Sequence, residues 1–186
     1  MVAGLALVLS SPLLLAAVVA IRLESRGPAL YSQRRVGRGG KPFELWKLRT
    51  MVPGAEAMGA GIYVLEGDAR ITRVGRLLRR FSLDELPNLV NVLKGDIAIV
   101  GPRPTIQEQV NRYTERQLRR LEVRPGITGW AQVNGRASLP WPERIELDVW
   151  YVDNRSLPLD LRILLRTARL LATGQGLYSE DLKQGW

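Results

Sequence analysis

The chain contains no cysteine and no histidine. The first absence excludes a disulfide framework and any thiolate metal centre. The second removes the commonest zinc ligand and the usual neutral-pH general base. Catalysis must then run on carboxylates, lysine, arginine, hydroxyls and a hard cation. Charge is missing from one whole stretch: Val2 to Ile21 carries no ionisable side chain, and all 27 Lys and Arg lie beyond it. Acidic residues are also outnumbered, 18 against those 27, for a formal net charge of +9.

The uncharged stretch is itself informative. Twenty apolar residues as helix reach ~30 Å, about the hydrocarbon thickness of a bilayer, so membrane association is expected. No basic region precedes the stretch and no small-residue cleavage site precedes Arg22, which argues against a cleaved signal peptide. The cationic bias downstream places the bulk of the chain on the cytoplasmic face of the membrane. Ser10-Ser11-Pro12 interrupts the run. Proline lacks an N–H and crowds the carbonyl of Val8, and the serine hydroxyls can bond back to freed carbonyls. The segment therefore either spans with a kink or dips in and returns. Beside such a segment, the positive charge reads as attraction to anionic lipid head groups and phosphorylated substrates rather than to nucleic acid.

The remaining length suits one domain with a real core, giving an organisation of a membrane helix at 1–22 and a catalytic domain at 23–186. Alternation predicts strands over Pro28 to Val36 and Pro42 to Met51, closed into a hairpin by Gly37-Arg38-Gly39-Gly40. Val52 to Gly67 reads as a mobile loop. Helices are expected over Thr72 to Phe81, Leu86 to Gly95 and Glu143 to Val152, and from the capping box Thr105-x-x-Glu108 to about Glu122. Ile127 to Val133 reads as a short strand. Leu159 to Thr173 is a basic amphipathic helix with an Arg162/Arg166/Arg169 stripe opposite Leu161, Leu164, Leu165, Ala168 and Leu171. It fits either the head-group layer or the domain surface. The fold class is α/β, α-rich with a small β-hairpin.

Chemistry concentrates in Ser82-Leu83-Asp84-Glu85-Leu86-Pro87-Asn88 and in Gly101-Pro102-Arg103-Pro104. Ser82 with Glu85 fits a capping box; alternatively the helix begins with Pro87 at its first position. Either way Asp84 lies near a helix N-terminus, a frequent structural setting for an acid. A carboxylate can also attack phosphorus, a second can hold Mg²⁺, and arginines pair with phosphate oxygens. Lys47, Arg49, Arg79, Arg103, Arg124 and Arg136 are the candidate phosphate-binding cations. Gly95 and Gly101 are candidates for a backbone nest.

Taken together, several blocks resemble the bacterial sugar transferases, specifically the minimal form of the monotopic polyprenyl-phosphate phosphoglycosyl transferases. The blocks are Lys47-Leu48-Arg49-Thr50-Met51, Arg70-Ile71-Thr72-Arg73-Val74-Gly75, the Asp84-Glu85 dyad, Arg124-Pro125-Gly126-Ile127-Thr128-Gly129, Gln132-Val133-Asn134-Gly135-Arg136 and Leu147-Asp148-Val149-Trp150-Tyr151. The resemblance implies that Asp84 attacks the β-phosphorus of a UDP-sugar, expels UMP and passes the phosphosugar to polyprenyl (undecaprenyl) phosphate. It implies that Glu85, with Asp84, associates with Mg²⁺, that Lys47, Arg79 and Arg103 surround the site, and that Ser11-Pro12 breaks a re-entrant helix. A homodimer is left open. Leu48 and Asn88 replace the family's more usual Phe and Gln, and Met1-Val2-Ala3 lacks the basic residue and Asp that usually precede the apolar run.

Two other readings compete. One is a membrane-tethered basic protein that binds anionic lipid or nucleic acid, with salt-sensitive affinity indifferent to Asp84. The other is a lipid-alcohol phosphotransferase using a CDP-linked donor. No G-x-G-x-x-G follows a predicted strand, which argues against a dinucleotide enzyme.

Overall fold

The computed structural model describes residues 2–58, 67–135 and 139–173. It is helix-rich, with two small two-stranded sheets among the described residues.

The apolar run forms one helix, α1 (Val2–Glu24), which continues without a break through Pro12. Ser11 Oγ donates to the Val8 carbonyl at 2.7 Å, the acceptor that a proline at position 12 leaves without its helical partner. Ser10 Oγ donates likewise to Leu7 at 3.2 Å. The serines therefore repair the ladder at the point where the sequence predicts disruption. One face of α1 is buried through Ala3, Ala17 and Ile21, while Leu5, Val8, Leu9, Leu15, Val19 and Leu23 are at least half exposed.

Strands β1 (Leu30–Val36) and β2 (Pro42–Leu48) pair antiparallel, with Tyr31 opposite Lys47 and Gln33 opposite Leu45. The connection uses Gly39 and Gly40 at φ +63° and +79°, the left-handed region that favours glycine. Ala29 and Leu48 join Ala17, Ile21 and Leu78 in a core against which Leu14, Val18, Val74 and Leu83 pack. The C-terminal half of α1 is thus part of the domain core.

Helix α2 (Arg73–Arg80) is capped twice. Thr72 Oγ1 accepts from Gly75 N, and the Glu24 carboxylate, at the end of α1, accepts from the N–H groups of Arg73 and Val74. Helix α3 (Asn88–Lys94) ends at Gly95 in the left-handed conformation. The buried Asn91 side chain fixes α3 to the edge of β2, accepting from Trp46 N and donating to the Glu44 carbonyl.

Strands β3 (Ala98–Val100) and β4 (Gly126–Thr128) pair in parallel. Between them the single helix expected over 105–122 is two short ones, α4 (Gln107–Val110) and α5 (Glu115–Leu118), followed by a 3₁₀ turn. Thr105 does not cap because its buried hydroxyl is spent on Gln109 Oε1 and Tyr113 OH. The capping box forms instead at Thr114 and Gln117. The strand expected over 127–133 ends at Thr128, and Trp130 opens α6 (Trp130–Val133), its ring stacked 4.9 Å from Trp150.

Helices α7 (Trp141–Asn154) and α8 (Leu157–Thr173) complete the described chain. On α8 the buried face is centred on Ile163 and Thr167, whose Oγ1 lies 2.7 Å from Thr128 Oγ1. Leu161, Leu164 and Leu165, on the apolar side opposite the arginine stripe, are exposed, as is Leu157. Arg166 stacks over Trp130 and donates to Asn134 Oδ1. Of the loop expected over 52–67, the described part is anchored: Arg70 donates to the carbonyls of Ala55 and Met58 at 2.8 Å.

Candidate active site

The dyad lies in the short link between α2 and α3. At the end of α2, Ser82 takes a left-handed backbone (φ +52°), uncommon for a non-glycine residue, and turns the chain into a 3₁₀ turn at Leu83–Glu85. Ser82 makes no capping bond, because a cap residue needs an extended backbone rather than this one. Helix α3 follows Pro87 directly, one residue later than the proline-start alternative places it. Leu83 is anchored in the core, so Asp84 and Glu85 are held on a rigid turn.

Glu85 is the electrostatic centre. Its Oε1 accepts Lys47 Nζ at 2.7 Å and Arg103 Nη2 at 2.8 Å. Burial pushes the Glu85 carboxyl up, but the Arg103 and Lys47 charges outweigh it and hold the group well below the usual carboxylate range. Asp84 is shifted the other way. Burial and the adjacent Glu85 charge raise it above the ordinary aspartate value, against the opposing pull of Lys47, Arg79 and Arg103. Among the described residues, the Asp84 carboxylate makes no hydrogen bond.

The loop carrying Arg103 is packed backbone to backbone. A Cβ on Gly101 would lie 2.5 Å from the Arg124 carbonyl, and one on Gly129 would lie 2.0 Å from the Gly101 carbonyl. Gly101 N donates to Thr128 and Gly126 N to Pro102, both at 2.8 Å. Neither expected nest glycine has a free N–H to offer, since Gly95 N is also engaged, by Val92. Behind the loop, buried Arg120 donates to the Arg103 carbonyl at 2.9 Å and to Asp148 Oδ2 at 2.6 Å. Burial raises Asp148 to about 6, with Arg120 opposing the shift.

Of the cations expected to bind phosphate, Lys47, Arg79 and Arg103 gather around the dyad. Arg79 Nε is held by Thr50 Oγ1 at 2.7 Å. Arg49 does not join them: it is buried and donates to the carbonyls of Arg26 and Ser25 and to Ser25 Oγ, locking the exit from α1 to the hairpin. Arg124 is exposed and lines a separate groove of about 570 Å³ with Arg38, Arg155, Ala98 and Val100. Ile97 lines the dyad cavity instead, so strand alternation puts Arg124 across β3 from the carboxylates. Arg136 lies outside the described residues.

Arg35 was not singled out from the sequence, yet it lines the same cavity as Lys47, Glu85, Asn88 and Arg103. The signal was present: the alternation through Tyr31 and Gln33 extends to Arg35 on one face of β1, and the hairpin register brings Lys47 to that face.

Two carboxylates on a rigid turn, one ion-paired and one unbonded within a ring of cations, make a site suited to anionic, phosphorylated groups. Residues 1–174 match the family described as "Bacterial sugar transferase", and the chain belongs to that family. It is 48% identical, over 90% of its length and 82% of the relative's, to a Bacillus subtilis protein named "Uncharacterized sugar transferase EpsL". It is 46% identical to a Caulobacter vibrioides protein named "UDP-glucose:undecaprenyl-phosphate glucose-1-phosphate transferase", covering 95% of this chain and 68% of that one. It is 44% identical to an Aeromonas hydrophila protein named "UDP-N-acetylgalactosamine-undecaprenyl-phosphate N-acetylgalactosaminephosphotransferase", covering 94% of this chain but only 42% of that one.

Proposed function

We propose that this protein transfers a phosphosugar from a UDP-sugar to a polyprenyl phosphate such as undecaprenyl phosphate, at the membrane, as an initiating step of glycoconjugate assembly. The observation that carries the reading is the contrast within the dyad. Glu85 is neutralised by two cations while Asp84, beside it, has an unbonded carboxylate facing the same positive field. The names of the relatives supply the substrate classes.

In the first step an Asp84 carboxylate oxygen forms a bond to the β-phosphorus of the donor. The bond from that phosphorus to the oxygen bridging the two phosphates breaks, and UMP leaves with the electron pair. In the second step an oxygen of polyprenyl phosphate attacks the same phosphorus. The acyl-phosphate bond breaks, the Asp84 carboxylate is restored, and polyprenyl diphosphate-sugar leaves. Lys47, Arg79 and Arg103 hold the negative charge that develops on the phosphoryl oxygens.

Mg²⁺ fits the donor set. Among the described residues no group of three or more acidic, His or Cys side chains is placed to cage a metal. Mg²⁺ does not require such a cage, because it commonly uses one or two carboxylates together with substrate phosphates and water. Asp84 and Glu85 would hold it, and when bound it would neutralise phosphate charge.

The membrane reading rests on α1, whose exposed leucines and valines would be costly in water, and on the unpacked leucines of α8. We place the catalytic domain on the cytoplasmic face of a bacterial inner membrane, with α1 re-entrant. Because the chain has no native cysteine, a single Leu5→Cys variant, on the exposed face of α1, reports topology in sealed inverted vesicles. Labelling by an impermeant maleimide from the domain side supports re-entry; protection until detergent is added supports a span.

The activity is tested by incubating detergent-solubilised protein with a UDP-sugar panel and Mg²⁺, with and without polyprenyl phosphate. UMP release and an intact-mass gain of one phosphosugar with donor alone are expected. CDP-linked donors working where every UDP-sugar fails would replace this reading with the lipid-alcohol phosphotransferase.

A further inference from the structure

The guanidinium of Arg35 stands among more positive charge than the acidic side chains around it balance. The side chain points from β1 into a water-sized cavity of about 20 Å³ that it shares with Lys47, Glu85, Asn88 and Arg103. Arg35, Lys47, Arg79 and Arg103 thus stand against the carboxylates of Asp84 and Glu85 and, beyond Gln33, of Glu56, and the Oε1 of Glu85 is already shared by Lys47 and Arg103. Burial, reinforced by the charge of neighbouring Arg103, lowers Arg35 to about 10. A partly buried cation in this position is costly unless an anion compensates it.

A donor there is also unfinished. Arg35 Nε is buried without a hydrogen-bond partner. Native interiors leave few such atoms, and an orphaned guanidinium N–H on a residue that lines a cavity suits an anionic acceptor. The side chain is nonetheless aimed. Arg35 donates to Gln33 Oε1, Gln33 Nε2 donates to Glu56 Oε1 at 3.2 Å, and Tyr31 OH donates to the same carboxylate oxygen. Tyr31, Gln33 and Arg35 share one face of β1, so the strand sets the guanidinium's direction before any ligand arrives.

We propose that Arg35 is a fourth phosphate-binding cation of this site, forming with Lys47 and Arg103 a cradle for the diphosphate of the nucleotide-sugar donor. The inference rests on the transferase reading above and adds a residue to it. A planar guanidinium can pair with two oxygens of a phosphate at once, which a lysine cannot. Two linked phosphates match a surplus of positive charge better than one does. Gln33 acts as a positioning residue, holding one edge of the guanidinium and leaving the other to the ligand.

The test compares wild type, Arg35→Gln and Arg35→Lys in detergent. Calorimetric titration with inorganic pyrophosphate, UDP and uridine is combined with steady-state KM and kcat for the UDP-sugar. Arg35→Gln is expected to weaken pyrophosphate and UDP by about tenfold or more and to leave uridine unchanged. Arg35→Lys, which keeps the charge, is expected to fall between the two and to raise KM more than it lowers kcat. Should Arg35→Gln fail to fold, Arg35→Lys decides the matter: KM and pyrophosphate affinity equal to wild type would overturn the proposal. Equal weakening of uridine, pyrophosphate and UDP would also overturn it, marking a structural role. Failure of the broader reading looks different, since wild type itself would then release no UMP from any UDP-sugar. UMP release by wild type with unchanged KM in both variants sinks only the assignment of Arg35.

Discussion

The Lys47 ammonium on β2 lies 2.7 Å from Oε1 of Glu85, a residue 38 positions further along the chain. That one contact joins the hairpin to the turn that carries the dyad, and Arg103 closes the same oxygen from the loop after β3. Three segments distant in sequence therefore share one carboxylate oxygen.

If Asp84 is the nucleophile, Asp84→Asn should abolish both the phosphosugar adduct and UMP release, a loss of at least about 10³-fold. Intact mass spectrometry after donor alone and a UMP assay measure the two independently. Turnover near the wild-type rate would remove Asp84 from the mechanism.

The acid limb of the kcat/KM profile should follow the Asp84 carboxyl, which must be ionised to attack. Burial and the Glu85 charge raise it, so activity should climb with pH through a value above that of an ordinary aspartate. Lys47→Met removes a cation that opposes the shift, and the limb should move further up in pH. A limb that stays in place, or moves down, contradicts this electrostatic account.

Arg49 serves the fold, although it sits in the Lys47-Leu48-Arg49 block that attracted attention as a phosphate site. Arg49→Gln removes its bonds to Ser25 and Arg26 and should cost about 2–4 kcal/mol of stability. Thermal melting should fall and protease sensitivity near residues 25–29 should rise. The KM of the folded fraction for UDP-sugar should not change.

Asp148 makes stability pH-dependent with a defined sign. Its folded value, about 6, lies above the ordinary 3.8, so the folded state keeps the proton longer than the unfolded chain does. The resulting stabilisation is complete below about pH 4 and is lost as pH rises through about 6. Relative to Asp148→Asn, wild type should therefore lose stability across that window and level off above it. Parallel Tm curves for the two proteins would contradict the assignment.

Gly101→Ala should disrupt the site without touching a charged residue. Its Cβ would fall 2.5 Å from the Arg124 carbonyl, so β3 and β4 must separate and carry Arg103 with them. A stability loss of about 3 kcal/mol or more is expected, together with a kcat loss in whatever protein folds. A soluble, fully active Gly101→Ala protein would show that the close approach is dispensable.

The hairpin was legible because period-2 alternation and a glycine-rich connection are local signals, and β1 and β2 fall within the predicted strands. Helix α2 was legible for the same reason, from Thr72 and the apolar spacing that follows it. The segment from 105 to 122 was not. Its capping signal at Thr105 was overridden when that hydroxyl was buried against Gln109 and Tyr113, a contact with no trace in local pattern.

The sequence by itself determined the chemistry available: with no histidine or cysteine, it offered carboxylates, among them an Asp-Glu pair, hydroxyls, lysine and abundant arginine beside an uncharged apolar helix. Residue type and local spacing suffice for that, because they fix ionisation, periodicity and turn propensity. Only the tertiary structure decided which cations serve the dyad. It brought Lys47, Arg79 and Arg103 together, added Arg35, spent Arg49 on the end of α1 and sent Arg124 to the other face of β3. Those assignments depend on strand register and on glycine backbones in contact across the chain, and neither is encoded within the neighbourhood of any one residue.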